Sequence, residues 1–359
     1  TKRHPLKSIP ESNAAAAGPK GPARSEMTTN QKIFRIFLAI SFGMPVILGI
    51  LLGVAYYGGK DVNAFPLAWM YLPASAVMIA SFATGRKEKD ENGEEVGPPK
   101  VFFGTFLAFA AALVACAVLS AWLPGNMAYM AANFLVIFSS LVCLVELLCM
   151  KKQRRKAWGL SLTKCWKKSL LGVVTFALLY LLLSALSIGA VWLLTGSAQG
   201  YELSPYWAVN VIVGLPLNFV LSFTAFLGEE YGWRYFLQQE LIDRLGKRKG
   251  VILLGLLWGI WHLPLNLFYY SPQTSLQSIL VQLAGCVGMG IFFGWVYLRT
   301  RNVWAVTATH FLNNNLGVTL FAVSAAGVTV GWGDALLSIA LYLIVYLPFL
   351  LTKEYRKDA

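Results

Sequence analysis

The sequence predicts an all-α protein, a polytopic transmembrane helical bundle of about ten spans with both termini in the cytoplasm. Three observations predict it: an apolar composition, ten long apolar runs, and basic residues confined to alternate loops. The 359 residues are 57% hydrophobic and 13% charged, with a mean hydropathy of +0.59. Soluble domains are about 45–50% apolar and about 25% charged. This composition therefore excludes an ordinary soluble enzyme, a disordered regulator and a secreted disulfide scaffold.

Ten runs reach the length of about 20 apolar residues that a helix needs to cross a bilayer. None alternates between apolar and polar residues as a strand does, and turn-forming or charged residues separate them. Two irregularities are expected: the eighth run is the best candidate for a half-span, and the amphipathic stretch 231–245 indicates a break after the sixth. In order, the predicted spans are 33–57, 64–84, 101–123, 127–150, 169–195, 205–228, 250–270, 275–298, 302–323 and 333–352.

The excess of 30 Lys and Arg over 17 Asp and Glu is explained by topology. If the N-terminus is cytoplasmic, every Lys and Arg except Lys60 falls on the cytoplasmic side. This is the positive-inside pattern, and it requires an even number of spans. Because orientation accounts for the charge, no surplus remains to suggest nucleic-acid binding.

The chain divides into three predicted regions. Residues 1–30 have no apolar periodicity and predict a disordered tail, and residues 1–26, which precede Met27, have the alternative of being vector-derived. Residues 31–165 form a four-span region, and 166–359 form a core whose motifs lie within 205–325. No cysteine pair has the CxxC spacing, so structural disulfides are not expected; a cysteine nucleophile remains an alternative.

Ionisable side chains inside spans are costly and point to function. Few exist here: Glu146, the cluster at the end of the sixth run, and two of the three histidines. Residues four apart share a helix face, so Glu230 pairs with Arg234 while Glu229 points about 100° away. The same spacing puts His310 with Asn314, and His262 with Asn266, whose amide is expected to orient the histidine ring.

These groups make up a hydrolytic set. A carboxylate and a histidine can jointly deprotonate a water for attack on a carbonyl. A second histidine with an amide donor can stabilise the resulting oxyanion. Each group also has a purely structural alternative: an ion pair for Glu230–Arg234, an interhelical hydrogen bond for His262, and an interhelical or snorkelling carboxylate for Glu146.

Three short motifs carry a resemblance to a known family. Glu229-Glu230-x-x-x-Arg234, Trp258-x-x-x-His262 and His310-x-x-x-Asn314 resemble, in order and spacing, the motif series of the CPBP (Abi) family. Its members are intramembrane CAAX-protease and bacteriocin-processing enzymes. The resemblance covers about 205–325, and one departure is Trp258, where the family usually has Phe.

The resemblance implies a metal-independent glutamate protease. Carried over by position, Glu229 and His262 would activate the water, Glu230 and Arg234 would support them, and His310 and Asn314 would form the oxyanion site. No cofactor is expected. A zinc or iron site built from Glu229, His262 and His310 is a minority alternative, although the HExxH signature is absent.

The sequence therefore leads us to expect an intramembrane endopeptidase acting on a membrane-associated peptide or protein. It would be a multi-pass protein of the inner or plasma membrane, with its active site in the cytoplasmic half and reached from the cytoplasm. The expected partners are the bilayer and the substrate, and the first four spans offer a surface for a membrane-protein partner. The rival is a non-enzyme: a proton-coupled transporter, or an inactive immunity or scaffold relative.

Overall fold

The computed structural model describes residues 28–196, 203–321 and 326–356. Nearly all of this part of the chain is helical, and one short hairpin is its only sheet. In chain order the elements are α1 (Thr29–Tyr57), α2 (Ala64–Thr84), β1 (Glu88–Lys89), β2 (Glu95–Val96), α3 (Lys100–Ser120), α4 (Met127–Cys149), α5 (Lys152–Ala157), α6 (Trp166–Thr195), α7 (Trp207–Leu245), α8 (Lys247–Trp261), α9 (Leu263–Tyr270), α10 (Ser275–Thr300), α11 (Val303–Phe321) and α12 (Trp332–Tyr346), with 3₁₀ turns at Pro272–Thr274, Leu347–Leu351 and Lys353–Tyr355.

The polytopic helical bundle is confirmed. Over the residues that the structure describes, each of the ten predicted runs forms a helix. Within the described residues, eight helices are long and apolar enough to cross a membrane, and the bent pair α8–α9 makes a ninth. The remaining helix, α11, carries His310 and three consecutive asparagines from Asn313, which lower its hydropathy.

Two irregularities differ from those expected. The eighth run is one continuous 26-residue helix, α10, and the break falls in the seventh run, where α8 and α9 meet at 40°. The sixth run does not break: α7 continues to Leu245 through a π-helical segment, Tyr231–Leu237. Pro264 explains why the break falls in the seventh run, because the ring and the missing N–H of a proline interrupt a helix.

The predicted tail falls largely outside the described residues, which begin at residue 28. Its last two residues are helical, because α1 begins at Thr29. Thr28 caps that helix: its hydroxyl accepts from the Gln31 backbone N–H, and the Gln31 side chain accepts from the Thr28 N–H. This reciprocal arrangement is the capping box.

Glycines allow the helices that carry the site to approach closely. A Cβ on Gly228 or Gly232 of α7 would lie 2.5 Å from Met70 O or 2.3 Å from Pro73 Cβ on α2. A Cβ on Gly255 of α8 would lie 2.6 Å from Val287 Cα on α10. Small residues four apart are the usual means of close helix packing in membranes.

The first four helices are joined to the core by buried polar contacts. The Tyr71 hydroxyl on α2 lies 2.8 Å from Ser139 Oγ on α4 and 2.7 Å from Thr224 Oγ1 on α7. The Trp261 indole at the end of α8 donates to Ser41 O on α1 at 2.9 Å. These ties hold the two helix segments that precede Glu229 and His262.

A hairpin and a short basic helix cover one end of the bundle; residues 85–99 and 151–160 are called here the basic-end cap. Lys156 of α5 pairs with Glu91 at 2.8 Å, and Gln153 donates to Asp90, which lowers the pKa of that carboxyl. The buried Trp158 indole donates to Val96 O at 3.1 Å. The cap is therefore tied together by both charged and buried contacts.

Substituting Gly255→Ala is expected to lower the free energy of unfolding by about 1–3 kcal/mol. The added methyl group would meet the backbone of α10, which cannot move as a side chain can. The measurement is SDS-titration unfolding in mixed micelles. Gly104→Ala on α3 is the matched control, because nothing lies within 4 Å of its Cβ and its stability should not fall; equal losses in both variants would contradict this packing account.

Candidate active site

One cavity of about 570 Å³ brings together residues from all three predicted motifs. Glu229, His262, His310 and Asn314 all line it. The first three are almost completely buried, at 2%, 6% and 3% exposed, whereas Asn314 is exposed. Glu230 and Arg234 are fully buried and do not line the cavity, so they form a layer behind it.

Glu230 is the centre of that buried layer. Its Oε1 accepts from Arg234 Nη1 at 3.1 Å, the predicted contact between residues four apart, and also from His310 Nδ1 at 2.8 Å. The Arg234 guanidinium lies over the rings of Trp258 and Phe293, at 4.5 and 5.0 Å. One carboxylate thus holds a cation and the histidine of a different helix.

Glu229 points to the cavity, as the helical offset from Glu230 predicts. Its Oε2 accepts from the Trp258 indole at 2.8 Å and from the Trp233 indole at 3.3 Å. Two donors on one oxygen fix the plane of the carboxylate. The geometry leaves Oε1 as the oxygen that faces a reactant.

The break after α8 orients His262. The His262 N–H bonds to Gly259 O at 3.1 Å, so the Trp258 carbonyl loses its usual helical partner. His262 Nδ1 lies 2.8 Å from that carbonyl and must donate to it, because a carbonyl only accepts. Nε2 then carries a lone pair, as a general base requires.

The expected role of Asn266 is wrong. Its amide nitrogen donates to the main-chain carbonyl of His262 at 3.0 Å, and its oxygen accepts from Ser278 at 2.6 Å. Asn266 therefore stabilises the bend between α8 and α9 and leaves the ring to the Trp258 carbonyl. The sequence spacing was compatible with both contacts.

His310 and Asn314 lie one turn apart on α11, and both reach the cavity. The oxygen of Asn314 accepts from Asn313 Nδ2 at 2.9 Å, which turns the Asn314 nitrogen away from its neighbour. Asn315 faces α7 and accepts from Asn218 at 3.0 Å. The three asparagines thus divide between the cavity and helix packing.

Sequence reasoning missed the two indole donors to Glu229. Trp258 was singled out only as a departure from the family's Phe, and Trp233 was not singled out. The available signal was the position of Trp233, four residues after Glu229 and therefore on its face. The contact from Trp258 required the packing of α8 against α7.

Glu146, the remaining ionisable residue that the sequence places inside a span, has a structural contact. Glu146 accepts a hydrogen bond from the Thr105 hydroxyl on α3 at 2.6 Å. This is the interhelical bond that the sequence offered as its structural role. None of the cavity's described lining residues is a cysteine, and all five cysteines are unpaired. In the part of the chain that the structure describes, no cluster of three or more His, Cys, Asp or Glu side chains has a metal-binding arrangement.

Comparisons with known proteins agree with the motifs. Residues 211–316 match the model of a family described as type II CAAX prenyl endopeptidase Rce1-like, a segment that contains all six predicted site residues. Over 162 residues the chain is 28% identical to CAAX prenyl protease 2 of Methanococcus maripaludis, covering 43% of this chain and 59% of that protein. The resemblance to the CPBP family is confirmed.

Substituting Glu230→Ala is expected to cost about 3–5 kcal/mol of unfolding free energy, because it leaves the Arg234 guanidinium buried without its partner. Glu229→Gln should change stability little, since its amide oxygen can still accept from both indoles. Unfolding by SDS titration measures both. Glu240→Gln, which breaks the more exposed pair with Arg244, is the control and should cost no more than about 1 kcal/mol. Equal losses in all three variants would contradict the assignment of Glu230 as the structural centre.

Proposed function

We propose that the protein is an intramembrane endopeptidase that hydrolyses a peptide bond of a membrane-associated peptide or protein. The observation that carries the proposal is the convergence of Glu229, His262, His310 and Asn314 on one cavity. The matching family and the name of the methanococcal relative support the same reaction class. Because the chain spans 59% of that relative, its activity and substrate are part of the proposal.

The first step activates a water. Glu229 Oε1 takes the proton, and His262 Nε2 accepts a hydrogen bond from the other water hydrogen. The water oxygen attacks the carbonyl carbon of the scissile bond, and a negative charge develops on the carbonyl oxygen. A positioned base of this kind contributes about 10²- to 10⁴-fold to a rate.

The second step stabilises and then resolves the tetrahedral intermediate. His310 Nε2 and Asn314 Nδ2 donate to the oxyanion, as preorganised donors do in other acyl-transfer sites. In this scheme His310 donates from both ring nitrogens, from Nδ1 to Glu230 and from Nε2 to the oxyanion. Glu229 returns its proton to the leaving nitrogen, the C–N bond breaks, and a carboxylic acid and an amine leave. The acid then passes its proton to the amine, which gives a carboxylate and an ammonium.

The charges of the site balance in this scheme. Before reaction, the carboxylates of Glu229 and Glu230 compensate the cations of Arg234 and His310. During attack, one negative charge moves from Glu229 to the oxyanion, and the total stays constant. A buried site of constant charge limits the cost of desolvation.

We further propose a metal-independent mechanism and a place in the cell membrane, with the catalytic residues in the cytoplasmic half of the bilayer. His310 lies seven residues after Val303, about 10 Å along α11 at about 1.5 Å per residue. Val303 lies at the end of the bundle that carries the basic loops. A membrane-protein partner for the first four helices stays a prediction.

Glu229→Gln is expected to lower kcat by about 10²- to 10⁴-fold while KM stays close to its original value, because the base is lost and the cavity keeps its shape. The measurement is cleavage of fluorogenic peptides with a single apolar or prenyl anchor by purified protein in detergent. Glu146→Gln, the same change at a half-buried carboxylate outside the cavity, should keep full activity. Cleavage that survives Glu229→Gln would refute the mechanism, and loss of wild-type cleavage on adding a chelator would refute metal independence.

Trp258→Phe, which installs the family's usual residue, is expected to lower kcat about tenfold with little change in KM. A hydrogen bond to a charged group contributes about 1.5–3 kcal/mol, and the Trp233 indole compensates part of the loss. Trp295→Phe removes an indole donor to Glu354 outside the cavity and is the matched control. An unchanged kcat in Trp258→Phe would mean that the indole fills space without positioning Glu229.

A further inference from the structure

We propose that the substrate reaches this site from the non-cytoplasmic side of the membrane and is anchored in the non-cytoplasmic leaflet. The proposal deepens the proposed function and rests on it. It differs from the cytoplasmic access that the sequence led us to expect. Three features carry it: a sealed basic end, an open opposite end, and a side crevice in the same half as the opening.

The end of the bundle that carries the basic loops is closed below the site. Beyond Glu230, α7 continues with fully buried aromatic side chains at Tyr231 and Trp233. Phe293 and Trp304 fill the neighbouring positions on α10 and α11 and are also buried. No residue of the chain between 231 and 257 lines the cavity.

The basic-end cap adds a second layer over this closure. The Tyr231 hydroxyl donates to Trp158 O at 3.0 Å, and the Trp304 indole donates to Leu160 O at 3.1 Å. The Tyr235 hydroxyl donates to Glu88 of the hairpin at 3.3 Å. A peptide arriving from this end would have to displace the cap and the aromatic layer.

The cavity reaches the surface at the opposite end, where Val318 of α11 lines it and is 50% exposed. Its outer lining comes from the turn after α9, from the segment 326–331 that precedes α12, and from the start of α2. Val328 N–H bonds to Tyr270 O at 2.8 Å, which ties two of these segments into a rim, and the Val328 side chain is 42% exposed. Among the described residues, exposed side chains therefore border the cavity at this rim, and the buried Glu229 and His262 lie at its inner end.

The charges assign a side to each end. Among the described residues, Lys60 is the single Lys or Arg in the loops at the open end, and every other Lys and Arg lies toward the opposite end. Basic loops remain in the cytoplasm. The cap then lies in the cytoplasm, and the opening faces the other compartment.

A side crevice of about 220 Å³ lies next to the cavity, between α6, α11 and α12. It shares Tyr180, Asn313, Gly317 and Tyr342 with the cavity. Ser184, Ser187 and Ser338 line it in the half of the bundle toward the open end, where α6 and α12 have largely exposed, lipid-facing surfaces. An apolar anchor seated there would lead its attached peptide directly to the catalytic groups.

Access is tested on the full chain in right-side-out and inverted membrane vesicles. The probe is a fluorogenic peptide whose charged head prevents crossing and whose single apolar tail inserts in the outer leaflet of the vesicle. We expect cleavage in right-side-out vesicles, its loss in inverted vesicles, and its return when inverted vesicles are permeabilised. Cleavage confined to inverted vesicles would overturn the proposal and leave the proposed function intact.

A labelling experiment determines which side of the membrane each end of the bundle faces, and it does not depend on enzymatic activity. An impermeant maleimide should label Val328→Cys in right-side-out vesicles and the exposed native Cys165, beside the basic-end cap, only in inverted ones. The opposite labelling would overturn the proposal. If permeabilised vesicles cleave nothing while labelling follows expectation, the proposed function fails and the assigned side of the opening stands.

The crevice has its own variant, Ser338→Trp. We expect a higher KM for the tailed peptide and no change for a tail-free peptide of the same sequence, because only the tail would occupy the filled space. Equal effects on both peptides would contradict the assignment of the anchor to the crevice.

Discussion

The Glu230 carboxylate, buried between Arg234 and His310, is the interaction on which the rest of the site depends. It joins α7 to α11 in the buried interior of the bundle, where an unpaired charge is costly. The same bond fixes the His310 ring through Nδ1 and leaves Nε2 for the cavity. Glu229, offset by one residue on the same helix, then points about 100° away and lines the cavity. Two adjacent glutamates thus serve different purposes, because a helix turns by about 100° per residue.

The fold is built to keep that interaction in place. Glycines let α7 lie against α2 and α8 against α10 at backbone contact, so side chains at the crossings have little freedom. The Tyr71, Ser139 and Thr224 hydroxyls connect three helices just before the glutamates. The first four helices therefore stabilise the helices that carry the candidate site.

Composition and periodicity were sufficient to predict a helical membrane protein, because the bilayer imposes length and apolarity on every span. The i, i+4 rule also predicted the Glu230–Arg234 contact and the common face of His310 and Asn314. It could not predict the bond between Glu230 and His310, which joins helices 80 residues apart in sequence. It gave the wrong contact for Asn266, because the spacing does not distinguish a side-chain partner from the carbonyl exposed at a helix break. The expected half-span was also wrong: the eighth run is one continuous helix, and the bend lies in the seventh run, next to Pro264.

The break at Pro264 shows how a local defect becomes a functional feature. A regular helix would use the Trp258 carbonyl for the backbone N–H of His262 and leave the ring to rotate. Here that N–H bonds one residue later in the chain, at Gly259, and the freed carbonyl takes Nδ1 of the ring. In the neutral ring, this bond places the proton on Nδ1 and the lone pair on Nε2. Trp258 thereby acts twice, since its carbonyl selects the state of His262 and its indole holds Glu229. A single helical turn sets both groups that the proposed water activation needs, and this explains why they face the same cavity.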